Sequence, residues 1–113
     1  MLTVLFATYN GATTLARSLE NFCLLDPPEG GYKLVVVDNA STDETPSTLK
    51  AYESRLPLTW IRIEQQGKNK ALNAGLELVE GDLVVLTDDD TIGQQDWLVR
   101  LREIADMHPE VAL

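Results

Sequence analysis

Short apolar runs alternate along this chain with stretches of helical periodicity, and no other feature constrains the fold as strongly. The runs have the length and residue types of buried strands, and they cover residues 2–7, 34–37, 58–63 and 83–87. A helical pattern follows each run, which gives the order β-α-β-α-β-α-β-α. This order predicts an α/β fold with a mostly parallel sheet, right-handed crossovers and helices on both faces.

Local signals refine the predicted helices. Ser41 and Glu44 have the spacing of a capping box at the start of the second helix. The third helix is predicted to begin near Lys68, with Gly75 allowing close packing and Gly81 acting as a stop signal. Three apolar residues at helical spacing are predicted to form its buried face: Leu72, Leu76 and Val79.

Length and charge limit the possible functions. A chain of 113 residues makes about one small domain with a single core. Eighteen acidic against nine basic residues give a net charge of −9, which argues against binding to nucleic acid or to an anionic membrane. No apolar stretch approaches the roughly 20 residues of a membrane span.

The single cysteine, Cys23, lies on the apolar face of the first predicted helix and is interpreted as a core residue. One cysteine excludes an internal disulfide and favours a reducing compartment. We therefore expect a cytoplasmic protein. Contact with the cytoplasmic face of a membrane is left open for a longer chain.

The C-terminus resembles the start of a further strand. The last helical pattern is expected to end at Pro109, with His108 as a helix-end residue, and residues 111–113 are apolar. We expect a single domain over residues 1–113 that is truncated at its C-terminus.

Polar residues follow three of the four predicted strands. These are Thr8, Tyr9 and Asn10 after the first strand, Asp38 and Asn39 after the second, and Asp88, Asp89 and Asp90 after the fourth. In parallel α/β sheets, ligands bind at the carboxyl ends of the strands. The fold would therefore bring three clusters that are distant in sequence to one edge of the sheet.

The three consecutive aspartates carry the chemistry of this edge. Neighbouring carboxylates repel one another, and carboxylate oxygens suit Mg²⁺ or Mn²⁺, which in turn suit a phosphate-bearing ligand. A solvated acidic turn is the alternative for the triplet taken alone. The expected convergence with the other polar clusters favours the metal and phosphate site.

Four segments of the chain resemble the nucleotide-sugar-binding half of a family 2 glycosyltransferase with the Rossmann-like GT-A fold. They are VLFATYNG at 4–11, VVVDNASTD at 35–43, KALNAG at 70–75 and GDLVVLTDDD at 81–90. Each is weak alone, but their order and spacing make a specific signal over essentially the whole chain. The resemblance implies a metal-dependent, inverting transferase. It would move a sugar from a nucleoside diphosphate donor, most often a UDP-sugar, to a hydroxyl of an acceptor saccharide or lipid-linked glycan.

The resemblance also assigns roles on the base side of the donor site. Thr8 and Tyr9 would line the base pocket, and Asn10 would shape the turn. Asp38 would accept a hydrogen bond from the base, commonly uracil N3–H, with Asn39 beside it in the same motif.

On the phosphate side, the acidic triplet is similar to the family's DxD element. Asp88 would face the ribose, and Asp89 or Asp90 would bind the metal. The register is ambiguous, so all three aspartates stay in the metal set. Lys68 and Lys70 are candidates for the base or phosphate region, and a solvated helix start is the equal alternative for both.

The chain departs from the family pattern at Leu72, where many relatives carry arginine. The missing cation would shift the base preference or leave the diphosphate to the metal and a lysine. The carboxylate base of inverting relatives lies beyond the end of this chain, and neither Asp96 nor Glu103 is assigned that role. We therefore expect the chain alone to bind UDP with Mn²⁺ weakly and to transfer no sugar.

Two other functions fit the sequence less well, and a third fits it equally. A sugar nucleotidyltransferase would carry a basic, Gly-rich loop after its first strand, and residues 8–12 lack basic side chains. A phosphoacceptor receiver module would need a lysine after a late strand, which is missing. The sequence does not separate a non-catalytic nucleotide-binding domain from the transferase.

Overall fold

The computed structural model describes residues 1–107 and bears out the predicted alternation. The strands are β1 (Leu2–Thr8), β2 (Tyr32–Asn39), β3 (Leu58–Ile63) and β4 (Leu83–Leu86). The helices are α1 (Ala12–Leu24), α2 (Thr45–Tyr52), α3 (Lys68–Leu76) and α4 (Trp97–Met107). None of these helices has the length and hydropathy needed to cross a bilayer. The predictions for His108, Pro109 and residues 111–113 lie outside the described residues.

The four strands form one sheet in the order β3-β2-β1-β4, and every pair is parallel. The chain adds β2 and β3 on one side of β1 and then returns to place β4 on the other side. The direction of winding therefore reverses between β1 and β4, which makes that position the topological switch point of the sheet. The predicted α/β fold class is confirmed.

Side chains of the strands alternate between two apolar layers, so that both faces of the sheet are covered. In the larger layer, α1, α2 and α4 pack against one face of the sheet. The helices contribute Leu15, Leu19, Phe22, Leu49 and Leu98, and the strands contribute Leu2, Val4, Phe6, Leu34, Val36 and Val85. The smaller layer packs α3 on the opposite face, through Ala71 on Leu5, Val35 and Val37. Burial on both faces explains why β1 and β2 read as continuous apolar runs.

Cys23 packs against the larger layer and is partly buried, in keeping with its predicted core position. Desolvation raises the pKa of its thiol. A raised pKa keeps the thiol protonated and poorly nucleophilic.

The predicted capping box at α2 is wrong. The helix begins at Thr45, and no side chain of the predicted pair caps it. Ser41 instead accepts a hydrogen bond from the Asn10 backbone N at 2.9 Å. Asp43 Oδ1 accepts from the Thr45 backbone N at 2.9 Å, and this local turn takes the place of the box because it serves the first helical residue directly.

The buried face of α3 agrees with the prediction only in part. Leu72 and Val79 are partly buried and pack against the smaller layer as predicted, although Val79 lies beyond the end of the helix. Leu76 is 46% exposed, and the buried positions of the helix are Ala71 and Gly75. A Cβ atom at Gly75 would stand only 2.5 Å from Leu5 Cδ1. The helix lies so close to the sheet that small residues form the contact, which confirms the predicted role of Gly75.

Gly81 is not the stop signal of α3, which ends earlier, at Leu76. Gly81 has φ +85° in the loop before β4, and a Cβ atom there would lie 1.9 Å from the Met1 carbonyl oxygen. Close approach of two backbones requires this glycine.

Candidate functional site

A cleft of about 270 Å³ opens at the carboxyl ends of β1 and β4, beside the topological switch point. Its walls combine members of all three predicted polar clusters with one lysine and one alanine: Thr8, Tyr9, Asn39, Asp88, Asp89, Lys68 and Ala7. The predicted convergence of the clusters is therefore present in the fold. Tyr9 is 49% exposed and offers an aromatic surface at the mouth of the cleft.

Asp89 is held by β1 and α1 through both its side chain and its backbone. The buried hydroxyl of Thr8 donates to Asp89 Oδ2 at 2.9 Å. The hydroxyl of Ser18, on α1, donates to the Asp89 carbonyl oxygen at 2.6 Å. The carboxylate stands beside the start of α1, where a Cβ atom at Gly11 would lie 3.0 Å from Oδ2. The positive end of the α1 dipole offsets part of the repulsion among the acids.

Asp88 pairs with Lys68 across the cleft, with 3.2 Å between Asp88 Oδ1 and Lys68 Nζ. Both side chains are about two-thirds exposed, so the pair contributes little to stability and both groups stay accessible to a ligand. Lys70 and Asp90 are exposed and do not line the cleft. The structure therefore places one of the two predicted lysines and two of the three predicted aspartates at the site.

Asp38 is completely buried and does not line the cleft. Its Oδ2 accepts from Arg62 Nη1 at 2.9 Å, and its Oδ1 accepts from the Ser41 backbone N at 3.1 Å. The pKa of Arg62 is raised by Glu64 first and by Asp38 second. The sequence did not point to Arg62, because the register of β2 and β3 places it opposite Asp38 and the sequence of either strand does not reveal that register.

Asn10 ties the loop after β1 to the loop after β2. Its side-chain Oδ1 accepts from the backbone N of Thr42 at 2.7 Å and of Asp43 at 3.3 Å. Asn10 has φ +48° and Ala40 has φ +62°, so each loop turns through a left-handed residue at this junction. Asn10 shapes the turn, and its amide oxygen is directed to these backbone groups.

Asn39 bridges β2 to the loop that precedes α3. In the amide orientation that satisfies both neighbours, its nitrogen donates to the Gln65 carbonyl at 2.8 Å and its oxygen accepts from Gly67 N at 3.1 Å. This bridge fixes the start of α3 and with it the position of Lys68.

Residues 87–96, which we call the acid loop, join β4 to α4 without regular secondary structure. Asn21 on α1 holds the loop at Gly93 by two hydrogen bonds. Its Nδ2 donates to the Gly93 carbonyl oxygen at 3.2 Å, and its Oδ1 accepts from Gly93 N at 3.1 Å. Farther along, Asp26 N donates to the Gln95 carbonyl at 2.8 Å. Sequence reasoning missed Ser18 and Asn21. Their spacing of three residues puts them on one helix face, but nothing local indicates that the acid loop lies against it.

The cleft fits a metal that is shared with a ligand. Among residues 1–107, no three acidic, histidine or cysteine side chains form a group that would hold a metal alone. Mg²⁺ and Mn²⁺ bound with phosphates need only one or two protein carboxylates, because phosphate and water oxygens complete the coordination. Asp88 and Asp89 both line the cleft, and Asp89 Oδ1 has no hydrogen-bond partner among the described residues.

Comparison with known proteins gives matches over nearly the whole chain. The family model described as glycosyl transferase family 2 matches residues 3–113. A beta-monoglucosyldiacylglycerol synthase of Nostoc sp. is 31% identical over 104 residues, which are 88% of this chain and 22% of that protein.

Two solved structures have the same fold. Residues 1–349 of S. aureus TarS in complex with UDP-GlcNAc superpose with a TM-score of 0.87 at 28% identity, over 96% of this chain and 32% of that TarS fragment. The mannosyltransferase PcManGT of Pyrobaculum calidifontis in complex with GDP-Man and Mn²⁺ gives 0.83 at 36% identity, over 93% of this chain and 32% of that protein. The chain thus spans a third or less of the proteins it matches.

Proposed function

Because this chain belongs to glycosyl transferase family 2, we propose that it is the donor-binding part of a transferase that uses a nucleoside diphosphate sugar, with UDP as the nucleotide. One observation carries the proposal: a single cleft at the switch point combines an aromatic ring, a lysine and two carboxylates. The complexes of TarS with UDP-GlcNAc and of PcManGT with GDP-Man support a donor of this class.

Each wall residue has a chemical task in this proposal. The Tyr9 ring offers a face for the base, with Thr8 beside it. Lys68 exchanges its contact with Asp88 for a phosphate oxygen of the donor. Asp88 and Asp89 would hold a divalent ion, Mn²⁺ or Mg²⁺, together with the donor's phosphates. When bound, the metal stabilises the negative charge that develops on the departing nucleoside diphosphate.

The proposed reaction transfers the sugar to a hydroxyl of an acceptor saccharide or lipid-linked glycan. It inverts the configuration at the sugar carbon that was bonded to the nucleoside diphosphate. The acceptor site and the base that deprotonates the hydroxyl are assigned to the rest of the whole protein. We therefore expect the 113-residue chain to bind UDP with Mn²⁺ and to transfer no sugar. A nucleotidyltransferase gains no support, since the loop between Thr8 and Ala12 carries no basic side chain.

The test is calorimetric titration of the chain with UDP and with GDP, each with and without Mn²⁺. Asp88→Asn/Asp89→Asn keeps the shape of both side chains and removes two charges. Glu77→Gln/Glu103→Gln makes the same change in net charge at exposed positions of the surface outside the cleft. We expect the double aspartate variant to lose at least tenfold in Mn²⁺-dependent affinity, and the control pair to behave as the unmodified chain.

The metal site would be refuted if UDP bound with the same affinity with and without Mn²⁺ and if the aspartate variant bound it as tightly as the unmodified chain. A non-catalytic nucleotide-binding domain would give the same binding results. The whole protein separates the two functions, because only a transferase releases UDP from a UDP-sugar in the presence of an acceptor.

A further inference from the structure

Two polar residues of α1 hold the acid loop without lining the cleft. Ser18 is 1% exposed, and its hydroxyl donates a hydrogen bond to the carbonyl oxygen of Asp89. Asn21, three residues later, makes hydrogen bonds to the backbone of Gly93 with both the nitrogen and the oxygen of its side-chain amide. Residues three apart lie side by side on a helix. α1 therefore presents a short polar ridge to the acid loop, beside the apolar stripe that it packs against the sheet.

The ridge holds the acid loop next to the Asp89 carboxylate, which is proposed to bind the metal. Thr8, on β1, fixes the Asp89 carboxylate at Oδ2, and Ser18, on α1, fixes the peptide of the same residue. Together the two bonds define both the backbone position and the side-chain direction of Asp89. The second hold, at Gly93, lies four residues farther along the loop. Without Ser18, the peptide of Asp89 loses its tether to α1.

We propose that Ser18 and Asn21 are positioning residues of the donor site, which set where the Asp89 carboxylate stands by holding the backbone of the acid loop. The assignment rests on the proposed function. Groups that bind a metal must be placed to within about 0.5 Å, and loss of an outer hydrogen-bond partner typically weakens binding by about 10–100-fold. Ser18→Ala is expected to lower Mn²⁺-dependent UDP affinity about tenfold, and Asn21→Ala to lower it less.

The chain offers a matched control at the other end of the sheet. Thr3 is fully buried, and its hydroxyl donates to the Glu80 carbonyl oxygen at 2.6 Å, the same length as the bond from Ser18. Thr3→Val and Ser18→Ala each remove a buried hydroxyl-to-carbonyl bond, and Thr3→Val also removes the bond that Glu80 N donates to the same hydroxyl at 3.1 Å. General destabilisation would therefore affect Thr3→Val at least as strongly as Ser18→Ala, whereas positioning affects only Ser18→Ala.

Four measurements on the 113-residue chain test the proposal: UDP affinity with Mn²⁺, uridine affinity, the thermal midpoint, and amide hydrogen exchange across residues 87–96. For Ser18→Ala we expect the tenfold loss for UDP with Mn²⁺, unchanged uridine affinity and faster exchange in the acid loop. Ser18→Thr, which keeps the hydroxyl, should retain the affinity. Thr3→Val should retain it despite a lower midpoint.

Equal losses of UDP affinity in Ser18→Ala and Thr3→Val, or no loss in Ser18→Ala, would overturn the positioning role alone. Failure of the unmodified chain to bind UDP in a metal-dependent way would overturn the metal site of the proposed function, and this role with it. The two failures are distinguishable, because the second is seen before any variant is made.

Discussion

Single atoms decide how much room the donor site has. Gly11 is such a position, since a Cβ atom there would stand 3.0 Å from Asp89 Oδ2 and 3.4 Å from Thr8 Oγ1. These two oxygens are hydrogen-bonded to each other at 2.9 Å. A methyl group would therefore press on the bond that orients the carboxylate.

We predict that Gly11→Ala lowers Mn²⁺-dependent UDP affinity by about tenfold, because the carboxylate must shift by a few tenths of an ångström. Alanine also caps a helix less well than glycine, so a loss of stability of up to about 1 kcal/mol is expected beside it. Calorimetry and urea unfolding measure the two effects separately. Thr14→Ala, at an exposed position of α1, is the control, and unchanged affinity in Gly11→Ala would show that the carboxylate has room to move.

The residues on the walls of the cleft were more predictable than those that hold them. Thr8, Tyr9 and Asp89 were placed from the sequence, because they directly follow strands and a parallel sheet aligns strand ends. Arg62 and Ser18 were not placed, because each acts on a residue brought near only by the register of strands or by the docking of a loop.

At the level of elements, the packing of α3 against the sheet depends on Gly75, the smallest residue of the helix. A Cβ atom at Gly75 would lie 2.5 Å from Leu5 Cδ1 and 2.9 Å from Val37 Cγ2, and both of those side chains are fully buried. The helix could accept a methyl group there only by moving away from the sheet.

We predict that Gly75→Ala destabilises the chain by about 1–2 kcal/mol. Overpacking costs about 1–3 kcal/mol, and the better helix propensity of alanine recovers up to about 1 kcal/mol. Urea denaturation monitored by circular dichroism gives the value. Asn69→Ala, on the exposed side of α3, should be neutral or slightly stabilising. Greater stability in Gly75→Ala would mean that the contact with the sheet is looser than the distances indicate.

A cluster of ionic and polar side chains links α1 to the end of α2. Arg55 donates to both carboxylate oxygens of Glu20, at 2.9 Å and 2.8 Å, and the Tyr52 hydroxyl donates to the same carboxylate. The hydrogen bonds from Arg55 first, and from Tyr52 second, lower the pKa of Glu20 from 4.5 to about 2. The cluster is exposed, so its contribution to stability is small.

The pKa shift predicts the pH range in which this link matters. Because the pKa is lower in the folded state, the contribution is complete above about pH 4.5 and is lost as the pH falls through about 2. Glu20→Gln should be less stable than the unmodified chain at pH 7, and the difference should shrink between pH 4.5 and 2. Urea midpoints at several pH values measure it, with Glu103→Gln as control. A difference independent of pH would assign the effect to packing.

Elements were predictable where a pattern is local and repeated. The bounds of β3 and the first residue of α3 were confirmed at the predicted positions. The capping box failed because the hydroxyl of Ser41 has a partner from another loop, Asn10, and the sequence does not show that competition. The predicted face of α3 was right for Leu72 and Val79 and wrong for Leu76, because periodicity favours large apolar residues, whereas the close contact with the sheet is made by Ala71 and Gly75.

The whole molecule carries a net charge of −9, and its proposed donor is an anion. Metal-free UDP must approach against this field, whereas a complex of UDP with Mn²⁺ carries less charge. Salt screens such repulsion over about 10 Å at 0.1 M ionic strength.

We predict that raising sodium chloride from about 20 to about 200 mM strengthens metal-free UDP binding and changes the affinity for UDP with Mn²⁺ much less. Titrations followed by NMR chemical shifts are suited to the weak metal-free affinity. Uridine is uncharged and serves as the control, with no salt dependence expected. Weaker metal-free binding at high salt would indicate that local attraction to Lys68 outweighs the overall field.

The order of the strands also governs when the cleft can exist. β1 precedes the other three described strands along the chain, yet it lies inside the sheet, and its partner β4 follows the other three in sequence. Thr8 and Asp89 meet across 81 positions of sequence, and parallel pairs provide no short hairpin to start from. Contacts of such high sequence separation form slowly. The ability to bind a nucleotide should therefore emerge after the helical signal during refolding, and during translation only after the acid loop has left the exit tunnel.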